Sequence, residues 1–107
     1  MTTFDRRERA FEDKFAHDDT MIFKARARRN RLFGEWLGTE LGMSGETLKA
    51  YAADVVKADL EEEGDGDILR KVRADIDAAG LDISDHKLDK QLTEFMCVAK
   101  GQIASGE

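Results

Sequence analysis

The chain has 107 residues and a mass of 12.0 kDa, the size of one domain, with 37% charged residues, 41% hydrophobic residues and a net charge of −6. It contains no proline and one cysteine, where about 5% proline is usual; the first points to long uninterrupted helices and the second excludes an internal disulfide. No apolar run approaches the roughly 18 residues that span a bilayer, and the opening Met1-Thr2-Thr3-Phe4-Asp5-Arg6-Arg7 leads into charge rather than an export signal, so a cytoplasmic location is expected and general nucleic-acid binding is disfavoured by the acidic balance.

Residues 1–18 stand apart. Phe4, Phe11 and Phe15 are their large apolar groups besides Met1, and over residues 1–17 Arg6, Arg7, Arg9 and Lys14 balance Asp5, Glu8, Glu12 and Asp13. Three aromatics on a narrow seam do not make a packed helix, and an isolated helix of this length is marginal in water. This segment is therefore expected to be a mobile arm carrying a helical stripe for a partner. At about 100° per residue, Phe4, Phe11, Phe15 and Ile22 fall within roughly 40° of one another, so the seam runs in phase into the next helix. His17-Asp18-Asp19-Thr20 nevertheless reads as an N-cap for a helix starting near residue 20. The pattern permits a capped bundle with a loose arm, or one continuous helix from Phe4 to Leu41 selected on docking.

Residues 19–104 read as an all-α, antiparallel four-helix bundle, with helices over about 19–41, 45–63, 66–79 and 85–103 and short connections between them. The first carries Ile22, Ala25, Phe33, Trp36 and Leu37 on one arc, widened by Leu32 and Leu41. The second has Leu48, Tyr51, Ala52, Val55, Val56 and Leu60; the third Ile68, Leu69, Val72, Ile76 and Ala79; the fourth Leu88, Leu92, Phe95, Met96, Ala99 and Ile103. All follow i, i+3, i+4 spacing, with no sustained alternation of strand type. Gly42, Gly64 and Gly80 mark helix ends, and Ser44, Asp65 and Ser84 are candidate N-caps. Gly34 and Gly38, four apart around Trp36, read as a place of close helix approach, and Trp36 as a core anchor rather than a ligand platform.

The densest basic run is Lys24-Ala25-Arg26-Ala27-Arg28-Arg29-Asn30-Arg31. Read linearly it suggests a nucleic-acid-binding helix. On a helical wheel Lys24, Arg28 and Arg31 point away from the apolar face while Arg26 and Arg29 lie on it. The second helix holds a matching oddity: Asp59 sits at the centre of its apolar arc and Glu62 one turn on. Antiparallel helices turning near residue 43 set Arg29 opposite 57–59 and Arg26 opposite 60–62, which predicts the ion pair Arg29–Asp59, extended by Arg26–Glu62. The alternative is a polar pocket for a small anionic ligand at Arg26 and Arg29. The other candidates are thin. Asp13 and His17 are four apart, as are Asp82 and His86; two such pairs could hold a divalent metal, but the spacing better suits surface pairs or caps. Cys97 lies opposite its helix's apolar stripe and reads as exposed and incidental. No nucleophile–base pair, metal constellation or glycine-rich phosphate loop appears, so neither enzymatic activity nor a cofactor is expected.

Taken in order, four blocks resemble the zeta-subunit family, small helical inhibitors of the F-type ATP synthase in alphaproteobacteria. They are the stretch from Phe4 to Asp18, then Ala27-Arg28-Arg29-Asn30-Arg31-Leu32-Phe33-Gly34, then Val55-Val56-Lys57-Ala58-Asp59, then Asp67-Ile68-Leu69-Arg70-Lys71-Val72-Arg73. The chain departs from the family pattern at Gly34-Glu35-Trp36-Leu37-Gly38, with a charge and a second glycine where relatives carry more apolar residues. The resemblance implies a regulatory subunit that is monomeric when free and peripheral to the inner membrane through the ATP synthase. Its partner is the F1 sector. The arm would enter between catalytic and non-catalytic subunits near the central rotor, fold to a helix and block ATP hydrolysis. Carried onto this sequence, Phe4, Phe11 and Phe15 would be the arm's apolar anchors, and Arg6, Arg7, Arg9 and Lys14 would meet acidic surface.

Overall fold

The computed structural model of the protein describes residues 19–59 and 65–106. Four helices account for nearly all of them: α1 over Asp19–Glu40, α2 over Gly45–Ala58, α3 over Gly66–Ala79 and α4 over Asp85–Ala104. The described chain is all-α, as its apolar periodicity predicts. The expected arm residues Phe4, Arg6, Arg7, Arg9, Phe11, Lys14 and Phe15, with His17, Leu60, Glu62 and Gly64, lie outside the described residues.

The turns between helices follow from two glycines. Gly42 (φ 90°) and Gly80 (φ 71°) adopt the left-handed conformation that a side chain disfavours. At each, two backbone bonds close the helix end. Met43 N donates to Gly38 O and Gly42 N to Thr39 O after α1; Leu81 N donates to Ile76 O and Gly80 N to Asp77 O after α3. This is the Schellman arrangement, and the residue after each glycine, Met43 or Leu81, folds back onto the core. The N-termini differ from one another. Ser84 accepts a hydrogen bond from Lys87 N at 3.1 Å, whereas Ser44 and Asp65 make no side-chain cap bond.

Helix α1 is the centre of the molecule, packed along both α2 and α4, while α3 leans on α2. The packing is antiparallel. Gly38 of α1 faces Leu48 and Tyr51 of α2, and Gly34 faces Ala52 and Val55; Arg28 Nη1 donates to Gln102 Oε1 of α4 at 2.8 Å. Phe33, Leu37, Val55, Ile68, Val72, Ile76 and Leu88 form the buried core. Trp36 is half-buried against it, 5.8 Å from the Phe33 ring. Two of the expected apolar positions are exposed: Ile22, in the first turn of α1, and Ala79, at the last residue of α3. Both stand near helix ends, where fewer neighbouring side chains remain to cover them. Cys97 is exposed.

Candidate functional site

The basic run falls in the first half of α1, and the helix divides its cations between two environments. Arg26 and Arg29 turn toward the end of α2 and the start of α3. Arg26 Nε lies 2.7 Å from Asp59 Oδ2, with Nη2 donating to Oδ1 at 3.1 Å, so the pair is bidentate. Arg29 Nη2 donates to Asp65 Oδ1 at 2.9 Å and is 3.8 Å from Asp59. Asn30 Nδ2 donates to Asp59 Oδ2 at 2.7 Å, while its own carbonyl accepts from Arg29 Nε at 2.9 Å. Asp59 and Arg29 are buried, with side chains 3% and 7% exposed.

The tight partner of Asp59 is thus Arg26, and Arg29 is held chiefly by Asp65; the expected Arg29–Asp59 contact exists at ion-pair distance only. Both arginines reach both carboxylates: Arg26 Nη2 is also 3.5 Å from Asp65 Oδ1, the oxygen that accepts from Arg29. The same engagement explains why Asp65 makes no cap bond: its carboxylate is turned to Arg29 instead of the backbone of α3. Asn30 and Asp65 are the members that sequence reading missed. Asn30 carries a signal, an amide in the phase of the buried arc, but Asp65 reads locally as a cap and joins the network through the tertiary fold alone.

Two cations, two carboxylates and one amide therefore satisfy one another, and no buried side-chain nitrogen or oxygen among the described residues lacks a partner. An anionic ligand that displaced Asp59 from Arg26 would leave a buried carboxylate, 3% exposed, without its cation. The network's geometry is that of a joint fixing α1, α2 and α3 in register.

Lys24, Arg28 and Arg31 lie on the opposite side of α1, as the helical wheel predicts. They border a groove whose lining includes Ala27, Val56 of α2 and Ile103 of α4, with Phe23 at its edge. Among the described residues no three His, Cys, Asp or Glu side chains converge on a metal-sized space, and none of the helices is long and apolar enough to cross a membrane.

One more buried polar contact bears on the core. Tyr51 Oη donates to Asp75 Oδ2 of α3 at 2.7 Å, and Lys71 Nζ stands 5.2 Å from the ring centre. Burial, then the Asp75 hydrogen bond and charge, raise the phenol above its ordinary value of 10.0.

Comparison with known proteins places the whole chain. Among curated proteins none matches. A solved solution NMR structure shares the fold with a TM-score of 0.72 at 44% identity, over 81% of this chain and 99% of that one. A sequence model of ATPase inhibitor subunit zeta matches residues 1–102, a span that takes in the segment before α1, the first three helices and α4 as far as Gln102. The chain belongs to the ATPase inhibitor subunit zeta family.

Proposed function

We propose that this protein is a non-catalytic regulatory subunit that stops ATP hydrolysis by the F1 motor through its N-terminal segment. Family membership supports the coarse role, inhibition of an ATPase. The finer reading assigns the braking to residues 1–18. Phe4, Phe11 and Phe15 form an apolar seam that docks between catalytic and non-catalytic subunits near the rotor, and Arg6, Arg7, Arg9 and Lys14 meet acidic surface there. The segment orders into a helix on docking, and the four-helix body lodges outside and keeps it from being drawn through. The protein acts as a monomer on the cytoplasmic side, peripheral to the inner membrane through the synthase.

The observation that carries this reading is the extent of the family match, which begins at residue 1 rather than at the start of the described fold. The joint at Arg26, Arg29, Asn30, Asp59 and Asp65 fits a body that acts as a rigid support, because its cations and carboxylates tie three helices together.

The test is ATP hydrolysis by a cognate F1 particle titrated with the full chain and with a chain lacking residues 1–17. The full chain is expected to inhibit and the truncated chain to leave hydrolysis unchanged. Inhibition that survives truncation places the activity in the body and overturns the arm mechanism.

A further inference from the structure

The outer face of α1 has more shape than a solvated face requires. Lys24, Ala27, Arg28 and Arg31 recur at the spacing of one helical stripe. Val56 of α2 stands on one side and Ile103 of α4 on the other, forming a groove of about 580 Å³. At its edge Phe23 is 60% exposed, more than the other exposed large hydrophobics of the described residues, Ile22 at 38% and Val98 at 47%. Arg28 is tied toward α4 through Gln102, and Arg31 Nε is 3.6 Å from Glu35 on the solvent side.

We propose that this groove is a second docking surface, on the body rather than the arm, and that it receives an acidic amphipathic helix of the partner. The proposal rests on the inhibitor reading, since it takes that partner to be the motor the arm engages. Three features select the occupant. Ala27 lets another backbone approach closely. Lys24, Arg28 and Arg31 stand at helical intervals, so carboxylates at the same spacing on a partner helix meet them in register. Residues 44–107 are net −7 while residues 1–43 are net +1, so the cationic face is a local exception on an acidic body. It complements a short acidic segment on a protein whose other surface need not be anionic, whereas a nucleic acid carries charge along its whole length and meets the acidic remainder. In the sequence, Ile22 continues the helical phase of Phe4, Phe11 and Phe15, and Phe23 follows it directly.

The experiment measures binding to an immobilised cognate F1 particle, and inhibition of its hydrolysis, for the full chain and three variants. The groove variant combines Phe23→Ser, Lys24→Glu and Arg31→Glu; the second lacks residues 1–17; the third carries Lys90→Glu, an exposed charge reversal on α4. Unchanged helical circular dichroism and melting confirm that the exposed substitutions leave the fold intact. The groove variant is expected to bind about tenfold more weakly than the unaltered chain, in the range of losing one interface hot spot, and Lys90→Glu to bind normally. The truncated chain is expected to retain weak binding. A groove variant that binds as tightly as the unaltered chain overturns the groove and leaves the arm standing. A truncated chain that still inhibits overturns the arm, while weakened binding by the groove variant still supports the groove. A full chain with no affinity for F1 removes both. Binding of a single-stranded or duplex oligonucleotide at low salt, lost with the same substitutions, makes the occupant nucleic acid and overturns the proposal.

Discussion

Tyr51 shows how one residue links the core to solution chemistry. It is the chain's single tyrosine, it is 8% exposed as a residue, and its hydroxyl donates to Asp75. Ionising it would place a second negative charge beside that carboxylate in a buried site, so its affinity for the proton is raised above the free value of 10.0. The sign of the linkage follows. Above the free value the unfolded chain loses the proton while the folded chain keeps it, so the folded state binds more protons and stability falls as pH rises. The contribution is fully present below pH 10.0 and is lost progressively above it. Absorbance at 295 nm, read as the difference from the Tyr51→Phe chain so that the Trp36 contribution cancels, should show no tyrosinate just above pH 10 while the chain stays folded, and tyrosinate should appear together with alkaline unfolding. Tyr51→Phe should reduce the slope of stability against pH in that range. A smooth tyrosinate titration centred near pH 10 in the folded chain contradicts the buried hydrogen bond.

At the scale of elements, the α1–α2 packing was legible in the sequence down to the residues that permit it. Gly34 and Gly38, four apart, read as a close approach, and they are where α1 meets α2. Their two sites nevertheless differ. A Cβ on Gly34 would stand 2.8 Å from Ala52 Cα, a backbone atom that cannot yield without moving α2. A Cβ on Gly38 would stand 2.5 Å from Leu48 Cδ1, the end of a flexible side chain, and 3.2 Å from the Tyr51 ring. Gly34→Ala is expected to destabilise the chain by about 1–3 kcal/mol, the usual cost of overpacking. Gly38→Ala is expected to lie within about 1 kcal/mol of the original, because alanine's higher helix propensity offsets the rotation of Leu48. Urea unfolding midpoints decide the matter, and equal losses at both positions would remove the distinction. The helix stops at Gly42 and Gly80 were equally readable, since a left-handed turn needs glycine locally. The charged joint was readable in part. Arg26, Arg29 and Asp59 betrayed themselves as charges inside apolar arcs, but the network also includes Asp65, at the start of α3. Helical periodicity describes faces within a helix and carries no information about which of two long side chains a distant carboxylate will take.

The whole molecule is asymmetric in a way that bears on how it holds a load. Helix α1 packs against two neighbours, contains the fully buried Phe33 and Leu37, and anchors the charged joint through Arg26, Arg29 and Asn30. Helix α3 contributes Ile68, Val72 and Ile76 to the core but packs mainly on α2, with Arg73 reaching Asp85 at the start of α4 through an exposed contact. Local opening follows the number of buried contacts that must be lost, so α3 should detach before α1 loosens. Native-state hydrogen exchange is expected to give the slowest amides around Phe33–Leu37, exchanging only by global unfolding, and faster exchange in α3 through a partial opening of smaller free energy and smaller denaturant dependence. Amides of α3 as slow as those of α1 would show a single cooperative unit instead. The ordering matters because residues 1–18 join the body through α1. Force on the arm would then pass into the helix with the most buried contacts, and the joint would hold that helix in register with α2 and α3 while the arm is engaged.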